Sequence, residues 1–454
     1  MRKWTRVTAA LAVLVLVGAA CTAGGETSSA PATIDPSESQ EPVTITIWGA
    51  WTGREYDQWI TIFDRFTEQY PWITVEPKGG IGDNKITASI NAGNPPDAVL
   101  SFGVDNVGKW CDSGAWQDLN PYIQNEDPNV GIDMATTFPA GALTYTSFEG
   151  IQCALPFMTD TYGLYYNTDL VEDAGLDPNA PPQTTDELVE WAKAMTEFNP
   201  DGSIKTLGFL PTNNSYCGWC LPPLVFGHAF NAEWLDAEGN AAFAADADWA
   251  SMYEWQKELI DFYGWENIDR FVASLGDEWG AKHDFYSGKI ASYVDGEWRT
   301  AFIADSAPDL NYMTAPFPVA PGNEAEYGSG VAGGTVIGIP DGSEHPAEAW
   351  LLVRWMATDL ETMIFMTELV GNVPTTNEAI NSPDLEVSDQ FRVFMDIFQN
   401  EYSDYVPTTV IGGELQDYIG NFSSQWQSGS QTDLTAGLAQ AAEETDLALE
   451  QAQI

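Results

Sequence analysis

Several stretches of this 454-residue chain have the residue types and spacing of known chemistry, and each lacks the part that would make it work. Gly103-Val104-Asp105-Asn106-Val107-Gly108-Lys109 has the spacing of a phosphate-binding loop and follows a strand-like run, but Trp110 stands where a Ser or Thr must reach magnesium. Gly328, Gly330 and Gly333 fit a dinucleotide fingerprint. They lead into Thr335-Val336-Ile337-Gly338-Ile339, which reads as a strand, so the helix end that would hold a pyrophosphate is missing. Cys217-Gly218-Trp219-Cys220 has redox spacing, yet Pro222 and Pro223 follow at once. A structural disulfide fits it better than a reactive thiol pair. The histidines, His228, His283 and His345, have no zinc-ligand spacing, and no nucleophile elbow occurs. We therefore expect no metal and no cofactor. Paired carboxylates for glycoside hydrolysis stay open, because with 67 Asp and Glu no single pair is informative.

The tryptophans point elsewhere. Of 18, several lie in turn-like contexts beside Gly, Cys or acidic residues, among them Trp51, Trp219, Trp279 and Trp298. A sugar ring offers apolar faces and a belt of hydroxyls, so its site needs flat aromatics with carboxylates or amides at their edges. Trp59 and Trp350, by contrast, lie on helical stripes and read as core.

The elements that would hold such a site are α/β. Val43–Trp48 is a strand pattern, and Trp59, Ile62, Phe63, Phe66 and Tyr70 make one amphipathic helix stopped by Pro71. Ile73–Glu76, a helix near 85–92, and Ala98–Phe102 follow. This alternation predicts a parallel sheet wrapped by helices. Further on, Thr184 and Glu187 form a capping box opening a helix through Met195, and Thr206–Leu210 reads as a buried strand. Pro346–Val370 is one helix or two, and 433–453 is helical. The length exceeds what one core supports, so two lobes are expected.

Composition and the first 42 residues place the protein. The net charge is −50, and removal of Arg2, Lys3 and Arg6 would bring it to about −53. Such a field disfavours nucleic acid and polybasic docking to membranes. Those three bases precede the apolar stretch from Val7 to Ala20, which is 14 residues long and reads as a signal-peptide core (1–20). Small residues before Cys21 resemble a lipobox, which would acylate Cys21, although Gly18 replaces the usual aliphatic residue. Ordinary cleavage after an Ala-rich site is the alternative. Residues 21–42 are rich in Ser, Thr, Ala, Gly and Pro, which predicts a disordered tether with a reach of roughly 25 Å. The other four cysteines allow three pairings. Cys111–Cys153 with Cys217–Cys220 is the economical one, and the first bridge would contribute about 4 kcal/mol in the chain-entropy model.

Five motifs in order then resemble the extracellular solute-binding proteins of family 1, the sugar-binding lipoproteins of ABC importers. They are Asn94-Pro95-Pro96-Asp97-Ala98-Val99; the run from Leu155 through Asp160, Tyr162 and Gly163 to Asn167; Gly288-Lys289-Ile290-Ala291 with Asp295-Gly296-Glu297-Trp298; Gly333-Gly334; and Val373-Pro374. The resemblance runs from about Val43 to the C-terminus. It implies a type II periplasmic-binding fold, with one lobe from 43–155 plus 316–372 and the other from 156–315 plus 373–454. It implies a carbohydrate, a di- or oligosaccharide, bound between them and delivered to the permease subunits of an importer. The chain would act as a monomer outside the cytoplasm, held to the membrane only through its lipid. Carried over by motif, the substrate-binding residues are Trp51, Ser101, Asp105, Asp160, Tyr162, Glu297, Trp298, Gly333 and Gly334. Trp279 joins them on its context, as do Tyr216 and Trp219 in the Cys-bracketed loop. A secreted glycoside hydrolase is the rival reading, and a binder of another solute the third.

Overall fold

The computed structural model describes residues 41–212 and 222–452. The expected strands and helices sort into two sheets. Nine strands matter here: β1 (Val43–Trp48), β2 (Ile73–Lys78), β3 (Ala98–Ser101), β4 (Leu155–Thr159), β5 (Tyr162–Asn167), β6 (Ser292–Gly296), β7 (Tyr312–Pro316), β8 (Thr335–Gly338) and β9 (Val373–Pro374). A six-stranded sheet runs β9-β4-β8-β3-β1-β2, and a three-stranded sheet runs β6-β5-β7.

In the larger sheet β1 is parallel to both β2 and β3, as strand–helix–strand alternation requires. The expectation of a wholly parallel sheet is corrected by β8, which runs antiparallel to both β3 and β4, and by β9, antiparallel to β4. β8 returns from the other lobe, and β9 follows it after two helices of the same lobe. The fully buried β3 and β4 are packed by the helix Pro346–Thr358. In the smaller sheet β5 is central and antiparallel to both neighbours, and the helix Asp389–Gln399 packs on it and on β7. Six strands and three strands, each with its own helices, give two lobes.

Local signals hold where the chain obeys its own caps. Thr184 Oγ1 accepts from Glu187 N at 3.3 Å and Glu187 Oε2 accepts from Thr184 N at 3.2 Å, opening the helix Thr185–Met195. The stretch 346–370 is two helices, because Asp359 leaves the helical conformation and its Oδ2 accepts from Thr362 N at 3.0 Å. The single helix expected from Trp59 to Tyr70 is instead two, Gly53–Trp59 and Ile62–Gln69. A tight turn separates them, with Thr61 N bonded to Gln58 O at 3.1 Å and Thr61 Oγ1 to the same oxygen at 2.6 Å. The strand expected over Thr206–Leu210 pairs as a strand only to Thr206, with one further bridge from Leu207 to Ile290. Gly208 presses against the helix Thr185–Met195, where a Cβ would come 1.8 Å from Ala192 O, while Leu207 N and Leu210 N bond to Lys289 O and Ser292 O at 2.8 and 3.3 Å.

The chain crosses between the sheets three times: at Asp160–Thr161, between Pro316 and Thr335, and after Pro374. β4, β7 and β9 each stay whole within one sheet, whereas the approximate lobe boundaries at 155/156 and 315/316 lie one residue inside β4 and β7, and that at 372/373 just before β9. The first two crossings pair with one another. Gly333 N donates to Asp160 O at 2.9 Å, and Thr161 bridges Ala332. Gly334, at φ 128°, is obligatory there, since a Cβ would lie 2.4 Å from Met158 O and 2.7 Å from Thr159 Cα.

Cys111 and Cys153 are bonded, tying the helix Val107–Ser113 to the residue pair that leads into β4. The closed loop has a sequence separation of 42. Replacing both cysteines by serine is expected to lower stability by about 4 kcal/mol. Urea denaturation of the two proteins side by side checks this, and coincident curves would refute it. Cys21, Cys217 and Cys220 lie outside the described residues. Among the described residues no helix is long and apolar enough to cross a membrane, and no cluster of His, Cys, Asp and Glu could hold a metal ion.

Candidate functional site

Between the sheets, beside the paired crossings, lies a cavity of about 450 Å³. Its larger-lobe wall comes from the loops at the carboxyl ends of β1 and β3, where open α/β sheets hold ligands. The loop after β1 supplies Trp51 and the first turn of the helix Gly53–Trp59 supplies Glu55, while the segment after β3 supplies Phe102 and, in a short 3-10 turn, Asp105. The opposite wall comes from Tyr162 at the start of β5, from Trp279, and from Trp298 just past β6.

The aromatics are not equivalent. Trp51 is 2% exposed and packs edge-on to Trp59, Phe102 and Phe157, so it is largely core with one edge in the wall. Trp298 sits edge to face with Tyr162 at 6.0 Å and tilted against Trp279 at 6.5 Å. Trp279 is 44% exposed, rests on Phe302, and has the Arg299 guanidinium 5.4 Å from its ring. Together they form a stepped wall from the buried end of the cavity to its mouth.

Gly333 and Gly334 also line the cavity, so of the twelve expected contacts eight are here: Trp51, Asp105, Asp160, Tyr162, Trp279, Trp298 and the two glycines. Two are corrected. Ser101 does not reach the cavity: it is fully buried, donates to Asp83 Oδ1 at 2.5 Å and accepts from Gly103 N at 2.9 Å, so it shapes the loop that carries Asp105. Glu297 is fully buried behind the wall, where its Oε2 accepts from Thr161 N at 2.9 Å and its Oε1 from Asn372 Nδ2 at 2.8 Å. Its carboxylate belongs to the crossing rather than to the cavity surface. Tyr216 and Trp219 lie outside the described residues.

Sequence reading missed Glu55, Tyr145, Asn372, Tyr405 and Gln416, all in the wall. Gln416 belongs to the helix Glu414–Ser428 and donates to Asp105 Oδ2 at 3.0 Å, while Gly413 N donates to Asn106 Oδ1 at 3.2 Å. Tyr145 bonds Thr159 Oγ1 at 2.8 Å and packs on Tyr405. No pattern flagged them, because each is one polar residue in a loop or helix start that only the fold brings here.

The electrostatics are one-sided. Glu55, Asp105 and Asp160 line the cavity, and among its described lining residues there is no Lys, Arg or His. Burial pushes Glu55 up to about 7, with repulsion from Asp160 adding to it and Arg54 and Arg299 opposing. Burial, then Asp83, pushes Asp105 up to about 6. Burial also holds Asp160 above the usual carboxylate range, against hydrogen bonds from Glu297 and Asn372. Glu55 ordinarily titrates near 4.5, so the folded state holds an extra proton between there and pH 7, and stability falls as pH rises across that window. Glu55→Gln is therefore expected to melt at a higher temperature than the parent above pH 7 and to match it near pH 4.5. Parallel melting curves over this range check the sign, and a parent that melts higher at the alkaline end would refute it.

With the geometry in place, the comparisons are decisive about kinship. A family model for bacterial extracellular solute-binding proteins matches residues 50–360. The chain belongs to that family. Relatives of this solute-binding protein include the maltotriose-binding protein of Pyrococcus abyssi, 23% identical over 347 residues, which span 75% of this chain and 68% of that one. A maltooligosaccharide ABC transporter solute-binding lipoprotein of Streptococcus pneumoniae is 26% identical over 383 residues, 82% of this chain and 80% of the relative. Among solved structures, CpMnBP1 with mannobiose bound matches at a TM-score of 0.78 and 26% identity, covering 89% of this chain and 100% of that one. The sugar-binding protein MalE of Xanthomonas citri, 19% identical with a TM-score of 0.72, covers 90% and 98% and shares the fold. Two-lobed sugar-binding proteins thus have the architecture seen here.

Proposed function

We propose that this solute-binding protein is the extracytoplasmic receptor of an ABC importer, taking a di- or oligosaccharide into the cavity between its lobes. The observation that carries this reading is the wall itself: Trp298, Tyr162 and Trp279 offer aromatic faces, while Glu55, Asp105, Asp160 and Gln416 offer polar groups at their edges. Sugar hydroxyls donate to carboxylates and amides while their C–H faces stack on rings. About 450 Å³ lies within the range of small-molecule sites, about 300–1,000 Å³. The relatives named for maltotriose and maltooligosaccharides, and the structure holding mannobiose, support the same solute class. A lipid on Cys21 and the tether through residue 42 would keep the receptor at the outer face of the membrane, beside its permease.

Binding from both walls favours closure, and moving the lobes from 1:99 to 99:1 closed takes about 5.5 kcal/mol of differential affinity. The hydrolase reading needs two carboxyls flanking a glycosidic bond with room between them. Asp160 and Glu297, the buried pair in this region, are instead both held on one nitrogen of Asn372.

The test is a thermal-shift screen of the full chain against mono- and oligosaccharides, with tryptophan fluorescence in parallel and product analysis afterwards. A ligand at a hundred times its Kd adds about 2.7 kcal/mol of stability. One saccharide class giving a saturable shift and returning unchanged is the expected result. No shift across the panel, or consumption of the sugar, would overturn the proposal.

A further inference from the structure

The turn between the helix Leu360–Val370 and β9 brings the two lobes into contact. Gly371, at φ 91°, ends that helix, and a Cβ on it would come 3.0 Å from Ala301 Cβ and 3.5 Å from Trp298 Cα. Asn372 comes next and is 3% exposed. Its Nδ2 donates to Asp160 Oδ1 at 2.6 Å and to Glu297 Oε1 at 2.8 Å. Asp160 sits in the first crossing and Glu297 follows β6, so one amide ties the larger sheet to the crossing and to the smaller sheet at once. Both of its N–H groups are spent on this clamp.

Its oxygen is not. Asn372 Oδ1 has no hydrogen-bond partner among the described residues, although Asn372 lines the cavity. Trp298 Nε1, from the opposite wall, is likewise without a partner among them. A buried amide oxygen without a donor is costly, and so is a buried indole N–H without an acceptor. One unspent acceptor and one unspent donor suit a hydroxyl group, which does both.

We infer that Asn372 is the residue through which a bound ligand acts on the hinge: a ligand hydroxyl donates to its Oδ1 while its amide nitrogen holds Asp160 and Glu297 together. This rests on the carbohydrate reading above. The ligand then satisfies Asn372 in the arrangement where both lobes grip it, which supplies affinity for that arrangement over the open one. The groups that face the clamp are Glu55 and Asp105 from the larger lobe, Tyr162 beside it, and Asp295 with Arg299 behind Glu297. Burial already holds both carboxyls of the pair up, and repulsion from Asp160 adds to it at Glu297. A third carboxyl at position 372 would therefore bind ligand in a strongly pH-dependent way.

The experiment compares the full wild-type chain with Asn372→Ala and Asn372→Asp, using mannobiose and maltotriose as probes. Calorimetry gives affinity at about pH 5 and about pH 8, and small-angle scattering gives lobe separation with and without probe. The alanine variant is expected to lose affinity at least about tenfold, the scale of one buried hydrogen bond, and to be more open than wild type without probe. The aspartate variant is expected to bind poorly at the higher pH and to recover at the lower one. Wild-type affinity in either variant at the higher pH, or a loss in the aspartate variant that pH does not change, would overturn the inference. Asn372→Ser replaces the alanine variant should that fail to fold. A wild-type chain that binds neither probe tells against the carbohydrate reading instead. In that case the separation without probe still decides, and an alanine variant as closed as wild type overturns the inference.

Discussion

Trp298→Ala is expected to weaken binding of the cognate saccharide by about two orders of magnitude while leaving the fold intact. The indole stands between Tyr162 and Trp279 and is 6% exposed, so its loss removes the middle of the aromatic wall. Gly296 makes its seat, since a Cβ there would lie 2.2 Å from the Trp298 ring. Buried aromatic anchors of this kind cost about 2–4 kcal/mol or more when truncated, which is the scale of a hundredfold change in Kd. Trp298→Phe keeps a flat face and should retain most of the affinity, separating stacking from bulk. Titration calorimetry with the saccharide found by the screen checks both variants. An alanine variant with the parent Kd would show that the cavity's ligand does not touch this wall.

What could be read before the fold was known followed from locality. The strands β1, β2 and β3 and the capping box at Thr184 are written in short-range patterns, and the structure keeps them. Motif resemblance added Asp160, Tyr162 and Trp298, which do reach the cavity. It also named Ser101 and Glu297, which do not line the cavity, because a motif marks a position along the chain and not the direction of a side chain. Ser101 turns to Asp83, and Glu297 turns to the crossing. Glu55, Asn372 and Gln416 were illegible for the opposite reason. Glu55 and Gln416 sit in ordinary polar stretches and Asn372 in an apolar one just before Val373-Pro374, and only the three chain crossings place them around one space. Strands change lobes where the backbone must pass, and at Gly334 the requirement is steric, a positive φ with no room for a Cβ.

The wall also depends on a charge that no ligand touches, and its removal carries the largest expected effect on stability. Arg299 is fully buried; its Nε donates to Asp295 Oδ2 at 2.5 Å and its Nη1 to Glu278 O at 3.0 Å. Asp295, also fully buried, accepts in addition from Tyr293 Oη at 2.9 Å. The guanidinium lies 5.4 Å from the rings of both Trp279 and Phe302, so it fixes the exposed end of the aromatic wall from behind. Arg299→Met fills the volume but leaves Asp295 charged, buried and short of its partner, and breaking such a pair costs about 3–5 kcal/mol. Changing both residues, Asp295→Leu with Arg299→Met, removes the stranded charge and is expected to recover much of that loss, since the pair repays little beyond its own desolvation. Urea denaturation midpoints of the parent, the single and the double variant decide it. If the double variant is as unstable as the single one, the pair contributes through its hydrogen bonds to Glu278 and Tyr293 rather than through charge compensation. If both match the parent, Arg299 is not the support of this wall, and Trp279 is held by its ring contacts with Phe302 and Trp298.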